Sequence, residues 1–137
     1  MSSSTSTLVL DLRSTVPHLT GPAGERQLVD AVAWTPEAGL VLGEPALRVL
    51  AADPGSGWLH LLPRVGDPSP CRLGPDAVDA ATLVARLVAS APVGEADELR
   101  VACPAGWTGQ QRRALAGALT ASGLPAPRLL DAVTVAL

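Results

Sequence analysis

Residues 101–137 read VACPAGWTGQQRRALAGALTASGLPAPRLLDAVTVAL. Leu99, Val101 and Cys103 alternate with Arg100 and Ala102 as in a strand, and Pro104 ends the run. Thr108 opens the next element. With Gln111 three residues on, it makes a capping box, in which the two side chains satisfy backbone N–H groups at a helix start. The helix runs on Ala and Leu to Ser122, and Gly123 stops it. Arg128 to Leu130 begin another strand, and Val133 to Leu137 start a further helix. Strand, helix, strand in this spacing predicts an α/β layer.

Working toward the N-terminus, Val78, Leu83, Leu87 and Val88 give the apolar stripe of a helix that runs through about Ser90. Gly74-Pro75-Asp76 reads as the start of that helix, with Asp76 and Asp79 at the positive end of its dipole. Asp53 to Pro75 is rich in Pro and Gly and is the most loop-like part of the chain; its one apolar piece, WLHLL, is a strand candidate. Pro45 to Ala51 predicts a short helix. Leu28 to Trp34 reads as a strand, Pro36 to Gly39 as a hairpin turn, and Leu40 to Leu42 as the strand pairing back. LVLDL at 8–12 is a buried strand with Asp11 near its end, while RSTVP and GPAGER read as turns. The order is three strands, helix, strand, helix, strand: an α/β fold with a mixed sheet and no internal repeat.

The chain of 137 residues has the size of one domain, and 47% hydrophobic residues supply its core. Only 17% is charged, which argues against wholesale disorder. A net charge of -3 gives no attraction to nucleic acid. No apolar run is long enough to span a bilayer. MSSSTST, residues 1–7, has neither a basic start nor an apolar stretch, so it reads as a disordered tail and not a signal peptide; the expected location is cytoplasmic. All ten basic residues are Arg, and Lys, Asn, Ile, Phe and Tyr are absent. Those residues have AT-rich codons, so the bias points to a GC-rich, actinomycete-like genome rather than to phosphate binding. Cys71 and Cys103 have no zinc or redox spacing; Cys103 reads as a small core residue, and no disulfide is expected.

Three stretches together resemble the heat shock protein 70 (DnaK-type) chaperone family, whose actin-like ATPase domain is built from ribonuclease H-like lobes. In the family segment that 101–137 resembles, a strand ends in V-P-A, a helix of the D-A-Q-R-Q-A type follows, and G-L precedes a strand ending in N-E-P-T-A-A-A. Pro104-Ala105, Gln111-Arg112, Gly123-Leu124 and Thr134 hold the corresponding places. AVAWTPEAGLVLGEPALRVLAADP, from residue 31, resembles the family's V-V-A-F-x-x-x-x-x-L-V-G-x-P-A-K stretch, with Leu42-Gly43 and Pro45-Ala46 in place. LVLDLRST, from residue 8, resembles the I-D-L-G-T-T phosphate loop.

The resemblance implies an α/β, ribonuclease H-like first lobe (subdomain I) over 8–137, ending before a second lobe, with degenerate actinobacterial members similar to type VII secretion-associated proteins as the nearest kind. It places nucleotide contacts on Asp11, Arg13, Ser14 and Thr15, with Asp11 organising a metal through water. Arg13 stands where the family's Gly lets the backbone approach phosphate. The family's catalytic Lys falls near Leu62, and its catalytic Glu on Ala132. Neither replacement can supply charge or position a water. The expectation is therefore a chaperone-like, noncatalytic pseudo-ATPase module acting as a protein-binding scaffold. No catalytic residue, no metal ligand and no cofactor are assigned to this chain; ATP and magnesium belong to the full-length protein. The partner is a protein or the second lobe, with a homodimer through an uncovered face as the other form, and neither nucleic acid nor membrane. The alternative is the N-terminal half of an ATP-hydrolysing chaperone in which Arg13 joins the phosphate contacts.

Other polar residues carry less. Asp131 is the only carboxylate that topology brings near Asp11, too few for a metal-dependent nuclease. His18 and His60 lack a nucleophile with a supporting acid, and Ser14 is in no nucleophile elbow. Arg112 and Arg113 read as a solvated helix face, and Trp58 and Trp107 as covers for the core edge.

Overall fold

A computed structural model describes residues 6–14 and 16–130. In chain order the strands are β1 (Thr7–Asp11), β2 (His18–Gly21), β3 (Gly24–Gln27), β4 (Ala31–Thr35), β5 (Gly39–Leu42), β6 (Gly57–Leu59), β7 (Cys71–Leu73), β8 (Asp76–Val78), β9 (Glu98–Ala102) and β10 (Pro127–Leu130). The helices are α1 (Glu44–Ala52), α2 (Ala80–Ser90) and α3 (Gly109–Ala121).

The main sheet has the order β10-β9-β1-β2-β3. β1, β2 and β3 form an antiparallel meander, and β9 and β10 add in parallel on the far side of β1. Alternation decides which face is covered. Leu8, Leu10 and Leu12 are buried, as are Leu19, Leu99 and Val101 beside them. They join one core with Leu83, Val84, Leu87 and Val88 of α2 and Leu115 and Leu119 of α3. The other face carries Thr7, Val9 and Asp11, and Val9 is exposed. The mixed α/β architecture is thus as expected.

The second sheet, β5-β4-β6, is antiparallel. α1 packs Ala46 and Leu50 against Ala31 and Ala33 of β4, making a small separate core. β7 and β8 form a hairpin.

Several strand expectations need correction. The stretches around Leu28–Trp34 and Leu40–Leu42 do pair, but in the second sheet, as β4 and β5. The main meander is instead completed by β2 and β3, and Pro22-Ala23 is the turn between them. GPAGER is therefore mostly strand. Its residues are polar because β3 is an edge strand with every residue exposed, so no hydrophobic alternation marked it. Gly74-Pro75 is the β7–β8 turn, not a helix start. The α2 helix begins six residues after Gly74, capped by Asp79, whose carboxylate accepts the Thr82 N–H at 3.1 Å and the Thr82 hydroxyl at 2.8 Å. The sheet begins at Thr7, inside the polar tail, and the Ser6 carbonyl accepts N–H groups from Asp97 and Glu98.

The capping box at Thr108 and Gln111 is present in both directions, and Gly123 after α3 has a φ of 87°. Cys71 and Cys103 are buried and not in a disulfide. Thr15, Asp131, Ala132, Thr134 and the helix start at Val133–Leu137 lie outside the described residues, as do the first five residues of the tail. Among the described residues, no helix is long and apolar enough to cross a membrane.

Candidate functional site

β1 and β9 run in parallel, so their C-terminal ends lie side by side, with Asp11 paired to Ala102. The Leu12 N–H donates to the Ala102 carbonyl at 2.9 Å, extending the ladder by one residue. The chain then turns through Arg13 and Ser14 and re-enters the sheet at His18, which pairs with Asp11. Of the residues assigned to nucleotide contact, Asp11 ends β1 and Arg13 and Ser14 follow it in this turn.

Asp11 is closed by its own turn. Its Oδ1 accepts the Arg13 backbone N–H and the Arg13 Nε, each at 3.0 Å. Its Oδ2 accepts the Arg13 Nη2 at 2.8 Å. The result is a two-pronged guanidinium–carboxylate pair reinforced by an amide, the geometry in which Arg binds a carboxylate best. The Arg13 guanidinium holds the Asp11 carboxyl below its ordinary value. Partial burial pulls the other way, and the Arg13 N–H, the Arg13 charge and the His18 charge add to the lowering. The same bond pushes Arg13 further toward its charged form. The Ser14 hydroxyl donates to the Val16 carbonyl at 2.8 Å and so tightens the turn.

His60 is the one non-glycine residue of positive φ among those described, so Arg13 occupies an ordinary backbone conformation. The turn does not need Gly for its own geometry. What Arg13 changes is the occupancy of the Asp11 carboxylate. As arranged, the Asp11 carboxylate and the nearest cation engage each other, so a magnesium–nucleotide pair would have to compete with that bond.

Leu62 lies in a short 3-10 turn, Leu62–Arg64, and is only 9% exposed, within the main core. Its N–H is held by Asp30, a residue that no motif in the sequence marks. Asp30 directly precedes β4. Its Oδ2 accepts the Leu62 N–H at 3.2 Å, and its carbonyl accepts the His60 N–H at 3.0 Å. Its other oxygen, Oδ1, is buried without a partner. Loss of solvent pushes the Asp30 carboxyl above its ordinary value, against the pull of the Leu62 and Leu61 amides and the His60 charge. His60, between β6 and this turn, has a φ of 58°. No spacing rule connects Asp30 to residues thirty positions away; the only signal was an acid set among apolar residues at a strand start.

No family model matches this chain, and no curated protein does either.

Other polar residues singled out in the sequence make contacts of their own. His18 Nδ1 stands 3.9 Å from Glu25 Oε1 on the open face of the sheet. The Trp58 indole donates to the Arg72 carbonyl at 2.9 Å, and Arg64 stacks on its ring at 4.5 Å from the centroid. Trp58 and Trp107 both pack partly buried against the core. Among the described residues no group of three or more His, Cys, Asp or Glu side chains is placed to hold a metal.

Proposed function

We propose that this chain is a chaperone-like lobe of the ribonuclease H-like, actin-fold type that has given up nucleotide chemistry and serves as a rigid protein-binding scaffold. The fold part of this reading is supported by strand order. A three-strand antiparallel meander, extended beyond its first strand by two parallel strands with a helix leading into each, is the arrangement that the resemblance implies.

The functional part is carried by one observation, the closure of Asp11 by Arg13. Phosphoryl transfer depends on positioned charge around phosphate and metal. Here the carboxylate that would organise a metal and the cation that would meet a phosphate neutralise each other, at 2.8 Å. A nucleotide and its metal would compete with that pair for the same carboxylate and guanidinium. Leu62 supports the same reading, because the position that the resemblance gives to a lysine is a core position.

The test is calorimetric titration of ATP, with and without magnesium, into the full-length protein. The scaffold reading expects no heat of binding. Submillimolar, magnesium-dependent binding would overturn it and favour the ATP-hydrolysing alternative.

A further inference from the structure

The face of the main sheet opposite α2 and α3 has an ordered pattern of charge. One row of registered residues crosses all five strands: Arg128 on β10, Arg100 on β9, Val9 on β1, Thr20 on β2 and Glu25 on β3. Neighbours in register point to the same side of a sheet, so these side chains share one face. One feature of the row is unfavourable in a lone molecule. Arg128 and Arg100 are like charges directly side by side, an arrangement that destabilises a strand pair. Arg128 has no ion pair among the described residues, and Arg100 has only a long one, 3.7 Å to Glu98. At the centre of the row stands Val9, 41% exposed.

We propose that this face pairs with the same face of a second copy of the chain, about a two-fold axis running along β1. The row selects both the occupant and the axis. β1 is the middle strand, so Arg128 and Glu25 each lie two strands from Val9, about 10 Å to either side. Rotation about an axis along β1 exchanges the two sides. It sets Val9 against Val9, Arg100 against Thr20, and Arg128 against Glu25 of the second copy, twice by symmetry. An axis along the row instead sets Arg128 on Arg128 and Glu25 on Glu25, which charge forbids. Sheets stack face to face about 10 Å apart, a gap that an Arg and a Glu side chain span together. Asp11 falls next to the axis and meets its own copy there, and the Arg13 pair has already neutralised it. A nucleic acid does not suit the face, because Glu25 and Glu98 share it with the two arginines.

With one apolar side chain at its centre, the contact belongs to the weak class, with a dissociation constant on the order of 100 μM. This inference rests on the registered row and not on the pseudo-ATPase reading, so the ATP titration and the test below fail separately.

Sedimentation equilibrium of the chain, run up to concentrations about tenfold above that constant, reads the association. The unaltered chain is expected to dimerise, more weakly as salt rises. Arg128→Glu and Glu25→Arg, each alone, weaken the dimer by about tenfold or more, since each removes two pairs and creates two repulsions. The double substitution Arg128→Glu with Glu25→Arg restores association to within about threefold of the original, since the exchanged charges face each other again. Both positions are exposed, so the fold tolerates all three variants. A chain that stays monomeric throughout, a dimer indifferent to both single reversals, or a double variant no better than the singles would each overturn the proposal.

Discussion

Leu62→Lys puts an amine back where the resemblance assigns one, and the structure says that it damages the fold instead of reviving a site. Leu62 is 9% exposed and sits in the main core, on a turn whose first N–H is tied to Asp30. A lysine stem replaces part of the lost apolar contact, which limits that loss to about 1 kcal/mol. The amine is the larger matter. If it stays buried, it must shed its proton. Doing so at pH 7 costs about 1.4 kcal/mol for each unit below an unfolded pKa of about 10.4, or roughly 4–5 kcal/mol at most. Snorkelling toward solvent recovers some of this. The expected loss is about 3–5 kcal/mol, comparable to the whole stability of many small domains. The pH dependence has a definite sign. A lysine with a depressed folded pKa destabilises most at low pH, so the gap between variant and parent narrows as pH rises toward about 10. Urea unfolding followed by tryptophan fluorescence at two pH values measures it. Leu62→Met is the control, expected to cost under about 1.5 kcal/mol because it conserves volume. A loss under about 1 kcal/mol that does not change with pH would show that the side chain reaches solvent. New magnesium-dependent ATP binding by the variant would contradict a core role for position 62.

Gly74→Ala should be more harmful than Gly123→Ala, although both residues have positive φ. At Gly74 an added Cβ meets the Trp34 ring at 2.3 Å, whereas at Gly123 it meets nothing within 4 Å. The expected losses are about 2–5 and about 1–2 kcal/mol in urea unfolding, and the reverse order would disprove the Trp34 contact. Asp30 holds its proton more tightly folded than unfolded, so its contribution to stability falls as pH rises from about 3.8 through the raised folded value. Asp30→Asn should remove that part of the pH dependence, seen as a flatter urea midpoint between acid and neutral pH. Asp11 has the opposite sign: its pairing with Arg13 stabilises above about 3.8 and is lost as pH falls through the lowered folded value. In Arg13→Gln the Asp11 carboxyl carbon should therefore titrate at higher pH by NMR than in the parent, and an unchanged titration would mean that the pair does not form in solution.

What was legible in the sequence was local. The Thr108–Gln111 capping box, the Gly123 stop and the β9 alternation each depend on residues a few positions apart, and each is present. That Arg13 stands where the phosphate-loop pattern has Gly was visible from residue type alone, whereas its pairing with Asp11 was not read there. The polar β2–β3 hairpin was missed because an edge strand has little apolar surface to bury and so little periodicity to show. Gly74 was misassigned because a Gly-Pro pair followed by acids suits a helix start and a hairpin turn equally. The Trp34 ring that lies against it, forty positions upstream, is a contact that no local pattern shows.

Asp30 marks where sequence reading stops, and it also links the fold to the site. A lone acid before an apolar strand has no visible partner, yet this one accepts the amide that begins the Leu62 turn and remains partly buried to do so. The desolvation that raises its pKa is a standing cost, partly offset by the bond to the Leu62 amide. Leu62 thus sits in the core on a turn whose first N–H is tied to Asp30. On the proposed reading, no single substitution would supply both features that a nucleotide site needs here. Arg13→Gly would release the Asp11 carboxylate but leave a leucine in the core. Leu62→Lys would bury an amine on a turn that Asp30 holds in place. Both the carboxylate and the turn would have to change together, and their separate anchors, one made two residues away and the other thirty-two, make that a change of fold geometry rather than of residue type.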